Sequence, residues 1–181
     1  AFAGVKRHIK RPKTVLRDGR SLGCLGSIAE HPGQRHRAVG LDEDGGHAIA
    51  GGCVLACCAD RRLMARDAGR IGVTEILVGV PFPALAFEVV RFAVPPRYLP
   101  EFTLSGATYA TDEALRRGWV DEVAEPGELL EDAIAVAREL SLLSPAAFAQ
   151  TKLQIRQPVT ERLTKSGQAT DKVVTDIWAA P

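Results

Sequence analysis

Small residues crowd one end of an apolar run in this sequence. Gly45-Gly46-His47-Ala48-Ile49-Ala50-Gly51-Gly52 leads straight into Cys53-Val54-Leu55-Ala56-Cys57-Cys58-Ala59. The apolar stretch reads as a helix, so the chain must turn sharply to enter it. Glycines permit that turn and leave the first backbone N–H groups of the helix free. The helix dipole adds positive potential at the same end, which suits an oxyanion or a phosphate. Clustered glycines equally serve the close packing of a strand against a helix, and both uses stay open. A nucleotide P-loop is excluded, because no Gly-Lys-Ser/Thr follows.

Regular patterning continues from there. Arg61–Ala65 and Arg70–Val73 read as short strands, and Ile76–Val80 as a strand or extended loop that turns at Pro81. Leu85–Phe92 has helical spacing, and Pro95-Pro96 marks a helix start that runs to Leu104. Tyr109–Asp112 caps a helix that stops at Gly118, and Trp119–Val123 reads as a strand. Three helices follow: from Pro126-Gly127-Glu128 to Leu142, from a Ser144-Pro145 cap to Arg156, and from Val159 to Trp178 with a weak point at Gly167. The expected division is 1–44 as an atypical basic segment, 45–125 as a core and 126–181 as a helical region.

The first segment carries the charge imbalance. Residues 1–37 hold nine Lys/Arg against Asp18 and Glu30, while the whole 181-residue chain has a net charge of +1. No sustained apolar period runs through residues 6–44, which predicts no regular element there. A basic arm raises nucleic-acid binding, but Phe2 stands alone where interleaved aromatics would be needed, so no nucleic-acid partner is expected. No apolar run is long enough for a membrane helix. Ala1–Lys10 is not organised as a secretion leader. Cys24, Cys53, Cys57 and Cys58 are too few for a disulfide scaffold, and the apolar setting of adjacent Cys57 and Cys58 suggests buried, reduced thiols in a cytoplasmic protein. His47 is separated from Cys53 by apolar residues, so no metal site is expected.

Thr74-Glu75 interrupts an apolar stretch between Ile71-Gly72-Val73 and Ile76-Leu77-Val78. A carboxylate so placed is paired, solvated or shifted toward its neutral form. A desolvated one makes a good proton-shuttling base, and a loop carboxylate facing water is the plain alternative. Backbone donors at one feature and a carboxylate at the other suggest enolate chemistry: one group holds a carbonyl oxygen while the other moves a proton.

The order Gly46–Cys53, Ala59-Asp60-Arg61, Ile71–Gly79, Leu104-Ser105-Gly106 and Asp112–Asp121 resembles the enoyl-CoA hydratase/isomerase (crotonase) family over residues 45–165. The resemblance implies an α/β fold, a ββα superhelix incomplete at its N-terminus, with a helical C-terminal oligomerisation region that forms a homotrimer or dimer of trimers. It implies acyl-CoA thioester substrates whose enolate is held by two backbone N–H groups. Coenzyme A is then part of the substrate, and no separate cofactor is implied. One donor maps to Gly51. The other maps to Ala3, in the Ala1-Phe2-Ala3-Gly4-Val5 remnant. The second glutamate of hydratases matches Glu75, and Val54 stands where they carry the first. One carboxylate is similar to the pattern of 3,2-trans-enoyl-CoA isomerases, as is Gly79-Val80-Pro81-Phe82 after it. Val54, Pro81, Phe82 and Lys152 are the implied substrate contacts. Lys152 would meet coenzyme A phosphates or else be a solvated helix lysine. The expected function is therefore an enoyl-CoA isomerase; the alternatives are a hydratase-like reaction, thioester hydrolysis or an inactive remnant.

Overall fold

The computed structural model describes residues 28–30, 37–41, 47–67 and 69–179. Two sheets share the strands. β1 (Ile28–Glu30), β2 (Arg37–Leu41), β4 (Arg61–Ala65) and β6 (Glu122–Ala124) form one, in the order β1-β2-β4-β6. β3 (Ala48–Ile49) and β5 (Ile71–Gly72) form the other. Pairing is parallel except between β1 and β2. From β3 onward, successive strands alternate between the sheets, so the chain winds through two layers with helices between. β1 and β2 lie inside the basic segment and correct the expectation that it holds no regular element. β2 pairs through its backbone from Ala38↔Arg61 to Leu41↔Met64, a bonding that apolar periodicity does not announce.

β4 shows how the layers divide. Its side chains alternate, as a strand's must. Leu63 and Ala65 join one cluster with Ala124 and with Leu129, Ala133 and Ala137 of α5 (Leu129–Ser141). The spacing of four along α5 puts those three on one face. Met64 points the other way, into a core with Cys53, Ala56 and Cys57 of α1 (Gly51–Cys57) and with Val90, Phe102 and Trp119. Arg62 shares that side and is buried. Its guanidinium donates to Asp121 Oδ1 at 3.3 Å and to the Ala93 carbonyl at 3.1 Å. Pairing is what makes such a burial tolerable.

α2 (Ala84–Ala93), α3 (Leu99–Ser105) and α4 (Thr111–Arg117) build the rest of the core region. α4 ends at Gly118 with φ 80°, the stop expected there. Three expectations are corrected. Ile76–Val80 is not extended: Glu75–Val78 is a single 3-10 turn closed by Leu77 N–H to the Thr74 carbonyl and ended by Gly79 at φ 72°. Trp119 and Val120 precede the last strand rather than forming it, and both are buried in the turn after α4. Pro158 does not divide two helices. α6 (Pro145–Arg162) runs through it and passes by a π turn (Leu163–Gly167) into α7 (Gln168–Trp178). Pro158 is exposed, so the carbonyl it leaves unbonded is solvated. Gly167, the expected weak point, is buried in that π turn against Ala84.

The C-terminal helices fold back onto α2. No side chain of its own caps α2 after Pro83; instead Asp171 of α7 accepts from the Ala84 N–H at 2.7 Å. Arg162 of α6 donates to Glu88 at 2.7 Å. Replacing Asp171 with alanine should cost about 1 kcal/mol, the ordinary worth of a helix cap. Asp171→Asn keeps an acceptor and should recover most of it, as read from the urea midpoint of unfolding.

Candidate active site

β3 and β5 run parallel in register, Ala48↔Ile71 and Ile49↔Gly72, so both chains leave the pair at the same edge. The Ala50 N–H still reaches the Gly72 carbonyl at 2.9 Å. Ala50 then turns the chain with φ 53° and ψ −124°, and α1 begins at Gly51. The first intrahelical bond runs from Val54 N–H to the Ala50 carbonyl, so the N–H groups of Gly51, Gly52 and Cys53 have no acceptor within the helix. Among the described residues no side chain caps this end, and no acidic residue sits in its first turn. Gly51 is exposed, and a Cβ built on it would meet nothing within 4 Å.

The other exit carries Glu75. β5 is held on its far side by Tyr109, through N–H···O=C bonds of 3.0 and 2.8 Å with Ile71. That approach is close: a Cβ at Gly72 would lie 2.5 Å from the Ala107 carbonyl oxygen. Glu75 opens the 3-10 turn two residues after buried Val73. Its Oε2 is shielded from solvent and has no hydrogen-bond partner among the described residues. Glu75 is thus not the water-facing loop residue of the plain alternative. Its charge also reaches α1. Burial pushes the Cys53 thiol well up, and the negative charges of Cys57 and Glu75 add to that. Val54 of α1 is half-buried and packs against the core.

Pro81 and Phe82 line a cavity of about 660 Å³. It is open on one side and lined by Ile76, the residue after Glu75, and by residues of α2, α3 and the C-terminal helices, with Arg162 and Leu163 in its wall. Gly51, Glu75 and Val54 are not in its lining. Lys152 belongs elsewhere. It lies on a second cavity, of about 340 Å³, and its ammonium is 2.6 Å from Asp60, which also holds Arg156 at 3.3 Å. Its charge is engaged within the protein rather than solvated. Ala3 lies outside the described residues, as does Cys24. Cys57 is buried as expected and Cys53 is buried too, but Cys58, expected to be buried, is exposed at the end of α1. Hydrogen bonding to Cys53 pulls the Cys57 thiol down, with the Arg62 guanidinium acting in the same sense. His47 is exposed.

A profile of the enoyl-CoA hydratase/isomerase family matches residues 45–180. The chain belongs to the enoyl-CoA hydratase/isomerase family. Among relatives, the (E)-benzylidenesuccinyl-CoA hydratase of Thauera aromatica is 29% identical over 107 residues, 59% of this chain and 41% of that protein. The short-chain-enoyl-CoA hydratase of Clostridium acetobutylicum is 26% identical over 140 residues, 77% of this chain and 53% of that protein. Human mitochondrial delta3-delta2-enoyl-CoA isomerase superposes with a TM-score of 0.67 at 25% identity, covering 73% of this chain and 52% of that one. The α/β architecture with its helical C-terminus is the crotonase-like fold of these structures. The chain spans about half the length of the relatives it matches.

Two features of this family member escaped the sequence motifs. Glu88 sits within the apolar Leu85–Phe92 helix and is buried, where Arg91 and Arg162 hold it. A lone acid in an apolar helix was the available signal. Ala50 is the other: its backbone occupies a region that side chains avoid, at a cost of about 1–3 kcal/mol. Ala50→Gly should therefore stabilise the fold by about 1 kcal/mol after glycine's extra unfolded-state entropy is deducted. Thermal unfolding of the two proteins measures this directly.

Proposed function

We propose that this chain acts on enoyl-CoA thioesters as an isomerase, moving a double bond from C3–C4 to C2–C3. The observation that carries the proposal is the Glu75 carboxylate, one oxygen of which is shielded from solvent with no partner among the described residues, in a chain that has the apolar Val54 where the family resemblance puts the other carboxylate of hydratases. Hydration needs a water held between two carboxylates, and Val54 supplies none. Shuttling one proton needs one base. Glu75 takes the proton from C2, and the electron pair of that C–H bond spreads into the thioester as a dienolate. The oxygen gains negative charge and is held by the Gly51 N–H, with the Ala3 N–H as its second donor in this proposal. The protonated Glu75 then returns the proton to C4, and the C2–C3 double bond forms. Donors fixed at a helix end cost no reorganisation as the charge develops, and losing one costs about 10²–10³ in rate. Coenzyme A enters as part of the substrate; the chemistry calls for no further cofactor.

Hydratase names among the relatives favour a second reading, in which this chain adds water to a 2-enoyl-CoA. An inactive remnant is the third reading. In either active reading the assembly is a homotrimer or dimer of trimers. Leu142 at 85% exposure, Leu153 at 68% and Ile155 at 56% support an association surface on the C-terminal helices.

Turnover of a 3-enoyl-CoA, followed by the absorbance of the conjugated product, separates these readings. Conversion is expected. Glu75→Gln should lower it by about 10²-fold or more and leave acyl-CoA affinity unchanged. Equal turnover by the variant would remove Glu75 from the mechanism, and a folded wild-type chain with no turnover would favour the remnant. Val54→Glu should introduce slow water addition to a 2-enoyl-CoA; wild-type hydration at comparable rate would favour the second reading.

A further inference from the structure

The cavity of about 660 Å³ is apolar along Val80, Phe82, Leu104 and Leu163, but one part of its wall is charged. Glu88 lies there, 7% exposed, between two guanidinium groups. Arg91 Nη1 is 3.1 Å from its Oε1, and Arg162 Nε donates to its Oε2 at 2.7 Å. One carboxylate neutralises one of the two cations, so this cluster carries a surplus of one positive charge. The remaining N–H groups of both guanidiniums have no acceptor among the described residues. Arg91 is steadied by the Phe87 ring, whose centroid is 4.7 Å from its Cζ, and Arg162 is supplied by the C-terminal helices.

A plain alkyl chain gains nothing from such a wall and desolvates it. A chain ending in a carboxylate gains charge-assisted hydrogen bonds, for which the planar fork of arginine is suited. We propose that this cavity receives an acyl chain bearing a carboxylate at its distal end, with Arg91 and Arg162 as the receptor. The proposal rests on the acyl-CoA reading above: the thioester lies at Glu75 and the chain enters past Ile76. Coenzyme A phosphates are the other anions on such a ligand. The apolar residues beside the two arginines suit an alkyl chain, and free coenzyme A serves as the control for its phosphates.

Calorimetric binding of octanoyl-CoA and suberyl-CoA tests this. Both are saturated, so no turnover is involved, and they differ in one terminal carboxylate. Suberyl-CoA should bind about tenfold more tightly to the wild-type chain. In the Arg91→Gln/Arg162→Gln double variant the two affinities should agree within about twofold. High salt should shrink the wild-type preference in the same way, a measurement that needs no variant and decides if the variant fails to fold. Equal wild-type affinities overturn the proposal. So does a double variant that loses affinity for free coenzyme A as much as for suberyl-CoA, since the guanidiniums then serve the phosphates. If octanoyl-CoA and suberyl-CoA both fail to bind, the acyl-CoA reading itself falls, which is a distinct result from octanoyl-CoA binding without a suberyl advantage.

Discussion

Parallel pairing of β3 with β5 brings two chain exits to one edge of a two-stranded sheet. Antiparallel pairing would send them to opposite ends. The strands are only two residues long, so the bonds at their ends matter greatly. Ala50 N–H to the Gly72 carbonyl ties one exit to the other strand, and the Ile71–Tyr109 bonds hold that strand from outside. α1 can start immediately because Ala50 accepts an unfavourable backbone conformation. The segment that begins α1 and the segment that carries Glu75 thereby leave the strand pair at the same end. Strain at Ala50 places the start of α1, and the pairing of β5 places Glu75.

Much of this was legible in the sequence because it is written in local patterns. Glycines before an apolar run announced a sharp entry into a helix, and a single acid between Val73 and Ile76 announced a carboxylate with an unusual setting. Ser144 and Gly118 marked helix ends that the fold uses as such. Where local pattern misled, solvent or tertiary bonding decided. Ile76-Leu77-Val78 has strand composition, yet these residues are exposed in a 3-10 turn, since Thr74 and Gly79 close it at both ends. Pro158 looked like a boundary, but one missing hydrogen bond on an exposed face does not stop a helix that continues on both sides. β2 left no apolar signature because its pairing is a backbone affair.

The candidate site was legible to a smaller extent. The segments carrying Gly51, Val54 and Glu75 follow strands that pair in parallel, and the sequence suggested their association only through motif order. Pro81 and Phe82 share a cavity, as a loop following the carboxylate should. Lys152 does not join them, because Asp60, ninety-two positions away, holds its ammonium at the second cavity. No periodicity reveals such a partner. Glu88 was passed over for the same reason: the residues that make its burial tolerable, Arg91 and Arg162, come from one turn on and from a helix far along the chain.

Those two arginines also explain why the C-terminal helices matter to the cavity as well as to stability. α6 and α7 have few buried residues of their own, so apolar packing alone holds them weakly. Directional bonds fix their place on α2: Asp171 satisfies an end of α2 that lacks its own cap, and Arg162 neutralises Glu88 in its middle. The same contacts bring Leu163 and Gly167 over the cavity that opens beside Glu75. A helix held by charge and capping stays in register while leaving apolar space beneath it unfilled. Tight apolar packing would have closed that space. The docking interactions and the room for a ligand are therefore two results of one arrangement.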